Sequence, residues 1–199
     1  LGFTPSIPYY KIIDETSDVE FTTYKYQYRG LGVKSRYRKL WDRAELDAIV
    51  YTANVETYKK NRELVGAVDA TYASRIGNGW NIKANLRRAS QDTFMRRYDF
   101  NDDTSLKSTV SATRTIDNRY YKVEASDRQS LLASDKTLNE PTVLPSIFYE
   151  KTEKGWRGNQ KFRTELSAVQ LDNDQGHDMS RWSGIFEVVE DFELPLGIA

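Results

Sequence analysis

Cysteine is absent from this sequence, histidine occurs once, and neither sign of charge is in excess. The lack of cysteine excludes a disulfide framework and any cysteine-ligated zinc or iron–sulfur site within the sequence. Lys+Arg and Asp+Glu each number 29, so the formal net charge is +0, and we expect no nucleic-acid partner. No run of apolar residues approaches the ~18 needed for a membrane helix. Membrane strands stay possible, because they alternate apolar and polar residues.

Aromatic residues, in contrast, are abundant. They make up 13% of the 199 residues, although the mean hydropathy is only −0.69. Disordered chains are polar but poor in aromatic residues, so we predict a folded chain of one domain. The sequence starts at Leu1 without a signal peptide and ends directly after a strand-like run. We therefore expect a piece of a larger protein, with any export signal outside it.

The dominant sequence period is two. Apolar residues alternate with polar ones in WNIKANLRRA (80–89) and KFRTELSAVQ (161–170). Because successive side chains of a strand point to opposite faces, this pattern indicates strands with one apolar and one polar face. By this criterion we predict an all-β antiparallel meander of about eleven strands and no amphipathic helix. The predicted strands lie near residues 2–13, 19–29, 31–40, 43–56, 64–76, 80–91, 105–116, 119–131, 142–152, 159–171 and 181–194.

Two architectures share this alternation. One is a soluble antiparallel sheet with a solvated face, and the other is an open segment of a large transmembrane barrel with lipid outside and water inside. In a barrel the first and last strands of the segment do not pair with each other. We then expect these apolar residues on the lipid side: Trp80, Ile82, Leu86, Val110, Phe162, Leu166, Phe186 and Val188. We expect these polar residues to face the lumen: Lys83, Arg87, Lys161, Arg163 and Glu165.

Aromatic side chains near the ends of the predicted strands favour the barrel. Rings of tyrosine and tryptophan commonly form girdles at the two membrane interfaces. Candidates for such girdles are Tyr9, Tyr10, Tyr24, Tyr26, Tyr28, Trp41, Tyr51, Tyr58, Tyr98, Tyr120, Tyr121, Trp156 and Trp182.

The single histidine lies in LDNDQGHDMSRW, residues 171–182. Asp172 and Asp174 begin like an EF-hand, but His177 and Ser183 occupy the positions that require glycine and glutamate. An Asp–His general base is chemically conceivable, yet nothing else in the sequence supports one. We interpret the stretch as a hairpin connection with one ion pair between Asp178 and Arg181. No phosphate loop, zinc spacing or dinucleotide fingerprint occurs, so we expect no metal, cofactor or catalytic residue.

Three parts of the chain carry short motifs whose order and spacing are informative. The first is S-x-P-Y-Y from Ser6 to Tyr10, and the second is FMRRYDF, residues 94–100, followed by the strand SLKSTVSATR. The third is P-x-x-L-P from Pro141 to Pro145, then an aromatic-rich strand with Tyr149 and a G-x-D-x-x-R turn at Gly176, Asp178 and Arg181. Together they resemble the barrel domain of the LptD family of lipopolysaccharide-assembly proteins, also called organic-solvent-tolerance proteins.

The resemblance implies a function and a place in the cell. Members of this family sit in the outer membrane of Gram-negative bacteria and are not enzymes. They receive lipopolysaccharide from an LptA-like periplasmic bridge, contain an LptE-like lipoprotein plug and release lipopolysaccharide through the lumen and a lateral seam into the outer leaflet, among membrane lipids. Residues 1–199 would then be a partial barrel domain, without the periplasmic domain, the remaining strands and the cysteine pair found in some members.

One residue is a candidate for the lateral seam. Pro8 matches the proline that the family carries in an early strand near that seam, and a proline in a strand removes a ladder hydrogen bond. An ordinary edge or turn proline is the competing interpretation. For the whole chain, a passive porin-like channel and a soluble β-protein such as an adhesin sheet stay open as alternatives.

Overall fold

A computed structural model describes residues 4–26, 30–56, 62–132, 142–156, 160–173 and 177–190. Strands account for most of them, as the alternation predicts. The strands are β1 (Ser6–Asp14), β2 (Ser17–Tyr26), β3 (Gly30–Trp41), β4 (Ala44–Glu56), β5 (Arg62–Ile76), β6 (Trp80–Ala89), β7 (Ser105–Ile116), β8 (Arg119–Ser130), β9 (Thr142–Lys154), β10 (Gln160–Asp172) and β11 (Met179–Glu190).

All eleven strands belong to one sheet, in which spatial order follows sequence order from β1 to β11. Each neighbouring pair is antiparallel. Within the described ranges β1 pairs only with β2, and β11 pairs only with β10, so the sheet is open. The predicted all-β open meander is therefore confirmed. The predicted strand ends at residues 2–3, 27–29, 159 and 191–194 lie outside the described residues.

The connections differ strongly between the two ends of the sheet. At one end, β1–β2, β3–β4 and β7–β8 are joined by two residues each and β5–β6 by a three-residue 3-10 turn, Gly77–Gly79. We call this the short-turn end. Asn78 and Asp117 adopt positive φ values of 64° and 51° there, a conformation that Asn and Asp tolerate better than most residues and that tight hairpins require. At the opposite end, the loop end, residues 90–104 connect β6 to β7.

The β6–β7 connection contains one turn of α-helix, α1 (Phe94–Arg97), which the sequence analysis did not predict. A single turn of helix is too short to produce a recognisable amphipathic period. In the part of the chain that the structure describes, no helix is long and apolar enough to span a membrane.

Residues 94–100 fold back onto the sheet and build a hydrophobic cluster at the loop end. Phe94 is 0% exposed, and the cluster also contains Met95, Tyr98, Tyr26, Tyr51, Ala53, Val65, Ala67, Leu106 and Leu131. The Tyr26 and Tyr98 rings lie 4.8 Å apart and the Tyr51 and Phe100 rings 4.4 Å apart, between centroids. The Tyr26 hydroxyl donates to the Tyr98 carbonyl oxygen at 3.4 Å. We call this set the loop-end cluster.

This cluster corrects part of the girdle interpretation. Tyr24, Tyr26, Tyr51 and Tyr98 pack in or against the cluster rather than pointing to a membrane interface, because the 90–104 connection covers this end of the sheet. Gly32 helps to make room, since a Cβ there would lie 2.8 Å from a ring carbon of Tyr26. Tyr28 and Tyr58 lie outside the described residues.

Candidate functional site: two faces and one edge

The register of the ladders assigns the paired strand residues to one of two faces, because directly paired residues of an antiparallel sheet share a face. Glu165 pairs with Glu150, and Lys83 pairs with Ser111, which pairs with Glu124. Following these pairs across the sheet brings all five predicted polar residues, Lys83, Arg87, Lys161, Arg163 and Glu165, to the same side. We call it the polar face.

Arginine–carboxylate pairs dominate the polar face near the first strands. Arg36 donates two hydrogen bonds to Asp47, with Nε–Oδ1 at 2.9 Å and Nη2–Oδ2 at 2.5 Å. Arg38 donates to Asp18 at 2.9 Å. These pairs cross from β3 to β4 and to β2, so the planar guanidinium groups connect neighbouring strands beside the backbone ladder.

Arg87 joins the polar face to the 90–104 connection. Its guanidinium lies 3.1 Å from Asp69 on β5 and 2.5 Å from Asp103 in the connection. Asn101 also donates to Asp103, at 2.8 Å. The hydrogen bond from Arg87 is the main reason that the pKa of Asp103 lies below its ordinary value. Asp103 therefore anchors the 90–104 connection to the polar face.

Arg163 is the centre of a second charged group on the polar face. It lies 3.0 Å from Glu165, 3.4 Å from Glu150 and 3.5 Å from Glu187. Three carboxylates around one guanidinium compensate its positive charge and leave a local excess of negative charge. The pair Lys122–Glu124, at 2.9 Å, lies on the same face. The polar face is thus charged but largely compensated.

The opposite side, the apolar face, carries all eight residues that were predicted to lie on the lipid side. Phe162 pairs with Val188 and Leu166 with Gly184, while Ile82 pairs with Ala112. The large side chains there are strongly exposed, with Leu166 at 52% and Phe186 at 69%. Near the short-turn end this face carries aromatic rings, among them Trp80, Trp41, Tyr121 and Tyr149. The Arg114 guanidinium lies 5.6 Å from the Trp80 ring centroid.

Pro8 lies in β1, at the open edge of the sheet. It is opposite Thr22. The Pro5 carbonyl oxygen accepts a hydrogen bond from Lys25 N–H, so backbone groups of residues 5 and 7 point toward β2. Alternate residues of a strand point to opposite edges in the plane of the sheet, and the Pro8 nitrogen therefore points away from β2. The missing N–H of Pro8 affects the open edge and not the β1–β2 ladder.

The stretch around His177 connects β10 and β11, which pair antiparallel from Leu171–Met179 onward. The hairpin prediction is confirmed. In place of the predicted ion pair with Arg181, the structure shows Asp178 accepting a hydrogen bond from Asn173 N–H at 3.4 Å, and Arg181 lies in β11 opposite Val169. His177 is exposed. Asp174 and Gly176 lie outside the described residues. Among those described, no group of three or more His, Cys, Asp or Glu side chains could hold a metal.

Comparison with known proteins identifies one family. The family model for LptD, described as LPS transport system D, matches residues 64–198. The match covers more than half of the chain, from β5 through β11 and beyond. A comparison with curated proteins finds no match.

Proposed function

Because the chain belongs to the LptD family, whose role is lipopolysaccharide transport, we propose that its sheet is part of the wall of an outer-membrane barrel. Family membership supports a role in lipopolysaccharide assembly, and the mechanism below is the proposal. The remaining strands of the barrel and a periplasmic domain would lie outside this sequence.

The observation that carries the proposal is that one single-layer sheet has a polar face on one side and an exposed apolar face on the other. Soluble monomers rarely expose contiguous apolar patches above a few hundred Å², yet Leu86, Val110, Leu166 and Phe186 are each between 48% and 69% exposed. A hydrocarbon environment satisfies this face. The charges of the other face need water, because even paired ions carry a large desolvation penalty in an apolar layer.

The ends of the sheet support an orientation. Outer-membrane barrels have short periplasmic turns and longer extracellular loops, so the short-turn end faces the periplasm. The apolar-face aromatic residues Trp80, Tyr121 and Tyr149 then lie at the inner interface, where amphipathic rings are favoured. The loop-end cluster, built by residues 94–100, narrows the lumen toward the cell surface.

The polar face suits transient contact with the sugar and phosphate groups of lipopolysaccharide. A conduit must bind its cargo weakly enough to release it. Arg87 and Arg163 are already paired with carboxylates at 2.5–3.5 Å, so a passing phosphate competes with these pairs rather than meeting free cations. Lys83 and Lys161 are exposed on the same face and offer further contacts along the path.

The lateral seam of the proposal runs along β1. The Pro8 nitrogen points to the open edge and carries no N–H, so one carbonyl of a strand that closes the barrel against β1 finds no donor there. Acyl chains would leave the lumen at this weaker pairing. By family membership, we also propose contact with an LptE-like lipoprotein plug inside the barrel and with an LptA-like bridge at the periplasmic side.

Replacement of Pro8 tests the seam. Pro8→Ala in the full-length protein restores a donor worth roughly 0.5–1.5 kcal/mol for the hydrogen bond formed, so the edge should close more tightly and export should slow. The measurement is surface lipopolysaccharide, together with sensitivity to large hydrophobic antibiotics, in cells that depend on the variant.

Two variants serve as controls. Pro5→Ala makes the same chemical change, but its new N–H points toward β2, so export should be normal. His177→Ala should also be silent, because His177 lies exposed in a hairpin connection. Loss of export with His177→Ala and a silent Pro8→Ala would instead favour a catalytic site at the rim and contradict the transport mechanism.

A further inference from the structure

The ladder between β6 and β7 is incomplete at the loop end. Direct pairing stops at Asn85↔Thr109. Beyond this point β6 continues along β5 to Ala89, and β7 is already paired with β8 from Ser105. The last four residues of β6 and the first four of β7 therefore separate, although each is held by its other neighbour.

Two side chains bridge this separation. The Ser108 hydroxyl accepts from Arg87 N–H at 3.0 Å and donates to the Arg87 carbonyl at 3.0 Å. The Gln129 amide, from β8, accepts from Ala89 N–H at 2.9 Å and donates to the Ala89 carbonyl at 2.8 Å. Each side chain replaces one donor and one acceptor of the missing ladder. The separation is thus a built feature of the sheet rather than a frayed strand end.

On the apolar face a groove of about 330 Å³ lies beside the separation. The floor of the groove is formed by residues with small side chains: Ala84, Ser108 and Ala125. Larger apolar side chains, Leu86, Val110 and Leu144, form its sides and are 47–50% exposed. The groove has the dimensions and lining of a site for an apolar chain rather than for a polar ligand.

A charged pair closes the groove toward the loop end. Arg88 on β6 forms an ion pair with Asp127 on β8, across the separation. Thr142 donates to the same carboxylate at 3.1 Å. The Arg88 side chain is still 44% exposed, so part of its guanidinium can bind another anion. Apolar lining next to an exposed guanidinium matches the order of groups in a lipid with a phosphate head.

We propose that this groove binds one acyl chain of lipopolysaccharide in the outer leaflet, with Arg88 facing a phosphate of the same molecule. Guanidinium groups bind phosphates by paired, charge-assisted hydrogen bonds. The proposal rests on the proposed function, in whose orientation the loop end and Arg88 lie at the outer leaflet. The site would hold a lipid on the outer wall, away from the lumen and from the β1 edge.

Two variants of the full-length protein test the site. Ala125→Phe fills the groove, and Arg88→Gln removes the charge. After extraction in mild detergent, native mass spectrometry counts the lipopolysaccharide molecules retained per protein. We expect the affinity for lipopolysaccharide to fall roughly tenfold in each variant, because each loses either one charge-assisted contact or the site of one acyl chain.

Matched controls carry the same changes elsewhere on the apolar face. Ala48→Phe adds the same ring on β4, and Arg114→Gln removes an arginine at the short-turn end. Both should retain lipopolysaccharide normally. Equal loss in the controls, or no loss in Ala125→Phe and Arg88→Gln, overturns the proposal, as does selective loss of phospholipid. If Ala125→Phe does not fold, Arg88→Gln alone decides. If the proposed function itself is wrong, the outcome differs, because the unaltered protein would then not insert into lipid.

Discussion

Leu166→Arg is the change that separates a membrane wall from a soluble sheet most directly. Leu166 is the middle residue of β10 (Gln160–Asp172), and it lies on the apolar face opposite Tyr149 and Gly184. Its side chain is 52% exposed, and neither partner offers an opposite charge. An arginine there must remain in whatever medium covers this face.

The size of the effect depends on that medium. At a half-exposed position in water, a surface substitution usually changes stability by about ±0.5 kcal/mol or less. Near the middle of a bilayer, arginine on the lipid side of a barrel costs about 2–4 kcal/mol. We expect the larger value, which is a 30-fold or greater change in the folding equilibrium by the factor of ten per ~1.4 kcal/mol.

Ser167→Arg is the matched control. Ser167 is the next residue along the strand, pairs with Phe148 and Ser183 and lies on the polar face, where water reaches the new charge. Glu165→Gln, on the same face, should also have a small effect. The measurement is reversible urea unfolding of the full-length protein in lipid vesicles, followed by tryptophan fluorescence. Equal destabilisation by Leu166→Arg and Ser167→Arg would refute the assignment of the faces.

Three further predictions concern the loop end. Phe94→Ala removes a fully buried ring and should loosen the 90–104 connection by about 3–5 kcal/mol, measured by hydrogen exchange of residues 91–104, with little change in the strand amides. Gly32→Ala puts a Cβ 2.8 Å from the Tyr26 ring and should lower the unfolding midpoint by an amount equivalent to about 1–3 kcal/mol. Because the pKa of Asp103 is lowered in the folded state, chiefly by Arg87, the connection should be fully anchored above about pH 4 and should loosen as the pH falls through that lowered pKa. Asp103→Asn should abolish this pH dependence of hydrogen exchange, and an unchanged profile would contradict the role of Asp103.

The strands could be predicted from the sequence because their causes are local. Alternation places Trp80 and Ile82 on one face and Lys83 on the other, whatever the partner strand is. Polar and glycine-bearing breaks such as Gly77–Gly79 mark the turns. The predicted strand 105–116 agrees with β7 at both ends. The predicted polar residues also share one face, since a continuous antiparallel ladder keeps the faces of neighbouring strands together.

The loop-end cluster could not be predicted in the same way. Alternation states which side of the sheet carries Tyr26 and Tyr51, but not what covers that side. The covering residues, Phe94 to Phe100, are about 70 positions away from Tyr26 in the sequence, as in the contact from Tyr26 to Tyr98. The dense aromatic content of FMRRYDF is a sequence signal that could have indicated packing of this connection against the sheet. The separation of β6 from β7 could not be predicted either, because the alternation within each strand does not indicate how far two strands remain paired.

The loop-end cluster also divides the sheet into two mechanical parts. It joins β2, β4, β5 and β7 by side-chain packing, so these strands are braced across several neighbours and must move together. Among the described residues, β9, β10 and β11 contribute nothing to the cluster. These strands are held by the hydrogen bonds to their neighbouring strands and by contacts between cross-strand side chains. We therefore expect the sheet to bend more easily at β9, β10 and β11 than in the braced strands. The braced part includes β2, which pairs with β1, so one side of the proposed seam at the β1 edge would be stiff.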